Sequence, residues 1–362
     1  MQPTGPLREG FTTGTAAAGA AKAAAWLLLT GQVPETVDTP LPGGGRLTLP
    51  VAAAGLAAGE AFATVVKDGG DDPDATHGAH LVCRVTRFSG GEPGSVAVAG
   101  GRGVGRVTLP GLSVPVGQPA INPAPMGQIR AAVREAVRAA GQDAALAVVV
   151  EVPDGESLAR QTMNPRLGIV GGISILGVSG IVRPFSHAAW KASIALAMDV
   201  ARSLGHDTIG LATGRRSEAL LAGRFPELPE TALIEVADYF AFSLAQAAGR
   251  GFARLIQATF VGKLAKMAQG LANTHAHRTA TDFSALAERC RQAGWPESLA
   301  CEASRATTAR HVFALAPDAP SRAALAAIVA REALAVMRRF AGPAPELSLV
   351  VFDFDGSVLL EV

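Results

Sequence analysis

Apolar and polar residues follow two different rhythms along this chain, and the change falls near residue 187. Thr12-Thr13-Gly14-Thr15 leads into an Ala-rich stretch that runs to Thr30, an order of capping residues before strong helix formers that predicts an N-capped helix. Gly31 and Pro34 stop it. Short runs of β character follow at Arg46–Val51, Ala61–Val66, Leu81–Phe88, Ser95–Val98 and Gly105–Leu109, parted by turns rich in Gly, Pro and Asp. Gln128–Ala140 has the pattern of a helix and Ala145–Val152 that of a buried strand. From His187 a helical stretch to Leu204 opens an alternation in which Thr208–Ala212, Ala232–Val236 and Arg254–Phe260 are strand-like, each with a helical segment after it. Three helical patterns lie between Thr281 and Phe340, and Leu347–Phe352 is a further apolar strand. The expectation is an α+β N-terminal domain over 1–186, followed over 187–362 by an α/β domain with a mostly parallel sheet covered by helices on both faces.

Composition narrows the function classes. Apolar residues make up 49% of the 362 and charged ones 17%, enough for two sizeable cores and too little charge for extended disorder. Lys and Arg (32) balance Asp and Glu (31) without blocks of one sign, so nucleic acid is not an expected partner. Lys22 interrupts the Ala-rich run, which is also shorter than the roughly 20 apolar residues of a membrane span, and the start lacks the order of a signal peptide. Cys83, Cys290 and Cys301 have neither zinc-site nor disulfide-scaffold spacing, which points to a reducing cytoplasm. The oligomeric state is left open, a homo-oligomer included.

Several motifs bear on chemistry. Lys67–Gly78 (KDGGDDPDATHG) gathers four carboxylates, one imidazole and three glycines in a strand-end loop, where the carboxylates repel and the glycines cost entropy. A solvated acidic turn is the bland alternative, and a calcium loop fits poorly because Cys83 stands where an EF-hand has its last Glu. The clusters Gly100–Gly105 and Gly168–Gly177 are not GxGxxG fingerprints, so a tight backbone packing and a ligand contact both stay open. Val351–Ser357 (VFDFDGS) looks like a dehalogenase-type aspartyl-phosphatase motif around Asp353, but such a motif begins its domain and here little chain follows it. His275 and His277 lack a third ligand at a metal-site spacing, and Gly262-Lys263 lacks the rest of a P-loop.

The order of these segments resembles the CbiD-type cobalt-precorrin-5B C1-methyltransferase family. The resemblance is carried by GFTTGTAAA (10–18), VVKDGGDDPDATHG (65–78), GGRGVGRVTLPG (100–111), GQPAINP (117–123), TMNPRLGIVGGISILGVSGIVRP (162–184) and Gly262–His275. Ala16 stands where the family often has Cys, which removes a thiol role there, and His277 departs from a Ser or Arg neighbourhood. The resemblance implies methyl transfer from S-adenosylmethionine to ring carbon 1 of cobalt-precorrin-5B, giving cobalt-precorrin-6A in anaerobic cobalamin synthesis, and two domains, an α+β part and a Rossmann-like α/β part with a mostly parallel sheet. The cobalt belongs to the tetrapyrrole substrate, and no protein-bound metal is expected. The alternatives are a methyltransferase of another corrin step and a non-catalytic tetrapyrrole carrier.

Methyl transfer from a sulfonium to carbon needs alignment and exclusion of water more than a protein nucleophile. The carboxylate-rich substrate calls for Arg forks and helix starts, with Arg102, Arg106, Arg166, Arg183, Thr12, Thr13 and Thr15 as candidates in the first domain. His77, oriented by Asp71 or Asp72, is the candidate proton exchanger. For the methyl donor, Thr213-Gly214 follows a strand of the second domain, where doubly wound sheets bind ligands, with Glu235 or Asp238 available to ribose hydroxyls. The Gly171-Gly172 loop is the rival cofactor site.

Overall fold

The computed structural model describes residues 6–275 and 279–362. The chain forms two compact units, Met1–His187 and Ala188–Val362, each with its own core. Both combine helices with a mixed five-stranded sheet.

In the first unit, helix α1 (Thr13–Thr30) starts on the Thr12 side chain, which accepts from the Thr15 amide, and ends on left-handed Gly31. Its alanines are buried on all sides, because methyl side chains let this part of the helix lie close to a sheet and to a second helix at once. Lys22 is the exception, and its ammonium leaves the core to meet Glu135 (2.6 Å) and the Asp38 carbonyl (2.7 Å). The sheet is built from β1 (Ala53–Ala57), β2 (Glu60–Val66), β3 (His80–Arg87), β4 (Val96–Gly100) and β5 (Leu146–Glu151), in the order β1-β2-β3-β5-β4. Its pairs are antiparallel except β5 with β4. Helix α2 (Pro123–Ala139) packs beside α1 and begins with Pro at its first position, where a missing N–H costs nothing.

The pattern-based elements differ here in several places, among them an unexpected strand Thr36–Pro40, paired with Arg46–Pro50. Strand β1 is rich in Ala and Gly and lacks β-branched residues; it forms because Ala58 (φ 50°) and Gly59 (φ 79°) make a tight hairpin turn onto β2. The expected strand at Gly105–Leu109 is instead two short pieces, Gly103–Val104 and Arg106–Val107, bound to different partners. Helix α2 starts five residues before Gln128.

The second unit opens on helix α3 (His187–Ser203). Then come β6 (Thr208–Ala212), α4 (Arg215–Arg224), β7 (Leu233–Glu235), α5 (Phe240–Gly249), β8 (Arg254–Phe260) and α6 (Val261–Ala268). After shorter helices, α7 (Ala319–Ala341) leads to β9 (Glu346–Phe352) and β10 (Val358–Glu361). The sheet order is β7-β6-β8-β9-β10, parallel except for the last pair. Leu349 and Val351 face one core, while Val350 and Phe352 face another, as expected for a strand covered on both sides. Between residues 281 and 341 there are four helices rather than three, because Pro296 and the caps Thr308 and Asp318 each restart the chain. No helix among the described residues is long and apolar enough to cross a membrane.

Candidate functional site

A cavity of about 920 Å³ lies in the second unit at the carboxyl ends of β6 and β8. The chain order reverses there, with β7 on one side of β6 and β8 on the other, so the loops leaving β6 and β8 diverge and leave a crevice. Thr213 and Gly214 after β6, Asp238 after β7 and Lys263 and Lys266 on α6 all line it. Asp238 Oδ1 is held by Thr274 Oγ1 (3.3 Å) and by the Lys263 ammonium (3.1 Å), which leaves its second oxygen as a free acceptor among the described residues. Lys266 donates to the His275 carbonyl (3.0 Å); burial pulls its ammonium below the ordinary value, with Asp238 opposing and Lys263 adding to the fall. Arg215 and Arg216 add positive charge at the start of α4. Phe260 and Phe354 also line it: they stack with centroids 5.6 Å apart, with Arg216 over Phe260 and Arg310 over Phe354.

Of the residues expected at a cofactor site, Thr213, Gly214 and Asp238 therefore share one cavity, while Glu235 sits within β7, opposite Ala212, outside its lining. Lys263, Lys266 and the two phenylalanines were missed as site residues. The strand-end argument that singled out Thr213 applies equally to Gly262-Lys263 after β8 and could have found it. Of the VFDFDGS segment, Phe354 lines this cavity. Asp353 has one oxygen on Arg322 (2.6 Å) and the other on the Phe354 amide (2.7 Å), so its carboxylate is engaged and not poised for attack. His277 lies outside the described residues.

In the first unit the diagnostic segments converge on the start of α1. Strand Gly10–Phe11 pairs with Ile181–Val182, the Phe11 amide donates to Asp68, and the Thr12 and Gly14 amides donate to Gly180 and Leu176. The hydroxyls of Thr12, Thr13 and Thr15 are spent inside the fold, on the Thr15 amide (3.2 Å), on Leu176 (2.9 Å from its amide) and on the Gly180 carbonyl (2.9 Å). All three threonines are buried, so they shape this surface and do not present donors at it. Arg102, Arg106 and Arg183 are exposed, Arg106 bound to the Gly117 carbonyl and Arg183 to Glu9 (3.1 Å); Arg166 is half-buried.

The Asp-rich loop is organised differently from its expected catalytic arrangement. Asp71 accepts from the Arg8 amide (2.7 Å) and Asp72 from the Phe185 amide (2.9 Å), so both fasten backbone. Beside His77 stands Asp68, 3.7 Å from Nδ1, its carboxyl held down at about 2 chiefly by the Arg8 guanidinium, with burial opposing. The Gly69 amide donates to His77 Nδ1 at 3.0 Å, which assigns the ring proton to Nε2. Held this way, the half-exposed ring offers a donor to a ligand, and it can take up a proton only by releasing Gly69. Beneath the loop, Lys67 is 2% exposed and pairs with Asp74 at 2.5 Å. Burial pushes the Asp74 carboxyl up, but Lys67 and the two bonds from Thr76 outweigh it and leave it below its ordinary value.

Within the glycine clusters, Gly103 and Gly172 pack backbone against backbone. A Cβ on Gly103 (φ 72°) would stand 1.8 Å from the Val152 carbonyl oxygen, one on Gly155 2.0 Å from the Gly103 oxygen, and one on Gly172 2.1 Å from the same atom. Gly172 is therefore covered, whereas Gly171 (φ 78°) has open space. Among the described residues no group of three or more His, Cys, Asp or Glu is placed to hold a metal ion. Cys83 and Cys290 are buried with their thiols pushed up by burial, the latter to about 11.

Comparison with known proteins gives a consistent picture. The CbiD family model matches residues 1–184 and the CbiD C-terminal domain model matches residues 273–362. A cobalt-precorrin-5B C(1)-methyltransferase of Nitratidesulfovibrio vulgaris is 48% identical over 98% of this chain and 92% of its own length. The protein of that name from Rubrobacter xylanophilus is 48% identical over 96% of this chain and 89% of its own. A crystal structure of a cobalamin biosynthesis protein (cbiD) from Archaeoglobus fulgidus shares 28% identity over 73% of this chain and 80% of that one; its TM-score of 0.39 is too low to argue from. With matches that span both units, the chain belongs to the CbiD family.

Proposed function

We propose that this protein transfers a methyl group from S-adenosylmethionine to carbon 1 of cobalt-precorrin-5B in anaerobic cobalamin synthesis, in the cytoplasm. Near-full-length similarity to proteins of that named activity carries the reading. The division of labour assigns the donor to the second unit, taken as a Rossmann-like domain, and the tetrapyrrole to the first.

The supporting observation for the donor is the cavity where the strand order reverses, the usual ligand position in open parallel sheets. S-adenosylmethionine supplies an electrophilic methyl group on a sulfonium. Asp238, with one oxygen free, accepts from ribose hydroxyls; Arg215 and Lys266 balance a carboxylate; Phe260 and Phe354 exclude water from one wall. For the tetrapyrrole, Phe185 exposes an apolar ring where its amide meets the Asp-rich loop, and Leu176 and Val178 expose apolar side chains in the chain leading to Arg183, which suits a flat ring edged with carboxylates. His77 serves there as a hydrogen-bond donor through Nε2, and as a proton acceptor only after Gly69 lets go. If His77→Ala left single-turnover methylation unchanged at every pH, both roles would be lost.

The excess of cations around the cavity favours a second reading, in which carboxylates of the tetrapyrrole enter it. Calorimetry separates the two. Asp238→Ala is expected to weaken S-adenosylmethionine binding about tenfold, as the loss of one charge-assisted bond implies. Unchanged affinity moves the donor site to the Gly171-Gly172 loop. The reaction itself is tested by incubating the protein with cobalt-precorrin-5B and labelled donor; a corrinoid without the mass of one added methyl group ends the claim. A carrier without catalysis would show no thermal shift with the donor.

A further inference from the structure

Lys263 is the third residue of α6, just past the end of β8. Its ammonium donates to the main-chain oxygens of Thr213 (2.7 Å) and Ala237 (3.1 Å) and lies 3.1 Å from Asp238 Oδ1. The first acceptor follows β6 and the other two follow β7. One side chain thus joins the carboxyl ends of three adjacent parallel strands at the point where the strand order reverses. Two of its N–H groups meet main-chain oxygens, and its charge faces the Asp238 carboxylate.

The segment it holds is under strain. Ala237 has φ 49°, a left-handed conformation that an alanine adopts only when its surroundings compel it. Its carbonyl points to Lys263, and the next residue is Asp238. We propose that Lys263 is a positioning residue that sets the affinity for the methyl donor: it keeps Ala237 left-handed, aims the Asp238 carboxylate into the cavity and fixes the Thr213 turn opposite. This rests on the reading that S-adenosylmethionine occupies that cavity.

Lys263→Met keeps the length of the side chain and removes both hydrogen bonds and the ion pair. In the full-length protein, calorimetric Kd and steady-state KM for S-adenosylmethionine are expected to rise about tenfold or more. The kcat at saturating donor and the KM for the tetrapyrrole should stay within about threefold, a split that general loosening of the fold does not produce. In Lys263→Ala, added ethylammonium should restore donor affinity, and it should not do so in Asp238→Ala. If Lys263→Met does not fold, as judged by circular dichroism, Lys263→Gln is measured in its place. Normal donor affinity in the Lys263 variants together with weakened affinity in Asp238→Ala overturns the proposal and leaves the site standing. Normal affinity in both overturns the site, and the proposal with it.

Discussion

Gly103→Ala is expected to destabilise the first unit by roughly 3–5 kcal/mol, the sum of a left-handed alanine and a backbone displacement. The φ of 72° accounts for about 1–2 kcal/mol of this. The remainder arises because the new Cβ would stand 1.8 Å from the Val152 oxygen, with Gly155 and Gly172 stacked on the same loop and no flexible side chain to give way. For a unit of this size each kcal/mol lowers Tm by about 2–4 °C, so a fall of roughly 6–20 °C is expected by calorimetric scanning. Gly171→Ala is the control: its φ of 78° imposes the same backbone strain, but its Cβ points into open space, so it should cost only about 1–2 kcal/mol. Equal costs for the two would refute the account of backbone packing. Were Gly103 a ligand contact instead, the substitution would reduce ligand affinity and leave Tm alone.

Lys67→Met should show its effect through pH. Removing one partner of a buried ion pair costs about 3–5 kcal/mol, and the partial exposure of Asp74 (24%) brings the expected loss down to roughly 2–3 kcal/mol at pH 7. In the unaltered protein the Asp74 carboxyl is held below its ordinary value, so its contribution is present above the unfolded pKa of about 3.9 and is lost as pH falls through the lower folded value. Without Lys67 its two lowering contributions are gone and the folded value rises, with burial now opposed only by the two Thr76 bonds. The variant's carboxylate therefore takes up its proton at higher pH than that of the unaltered protein. The difference between the two proteins, measured by urea unfolding, should be largest near pH 7 and narrow as pH falls below about 4. A constant difference would mean that lost packing of the lysine stem, and not charge, is responsible.

The features legible in the sequence are those decided by neighbours along the chain. The Thr12 cap and the Gly31 stop place α1 because capping acts over three or four residues. The alternation after His187 announced β6, β7 and β8, since burial on both faces demands continuous apolar runs. From that followed the Thr213-Gly214 strand end and Asp238, three residues past β7, which the cavity does gather. Strand β1 escaped notice because its alanines and glycine carry no strand preference, and pairing with β2 alone makes it a strand.

What only the tertiary structure decided are contacts between residues far apart in sequence. A glycine in a sequence declares that something comes close, but not what; at Gly103 it is the chain around Val152, Gly155 and Gly172. An imidazole among carboxylates suggests a proton relay, yet the Gly69 amide on Nδ1 leaves a donor facing outward and puts Asp68, not Asp71 or Asp72, beside it. Lys263 looked like the remnant of a P-loop, and its part in joining Thr213, Ala237 and Asp238 emerges only when three strands lie side by side. Local preference and periodicity, which act over a few residues, settled the elements and the strand ends. The partners of each polar group depend on chain crossings that no short window of sequence contains.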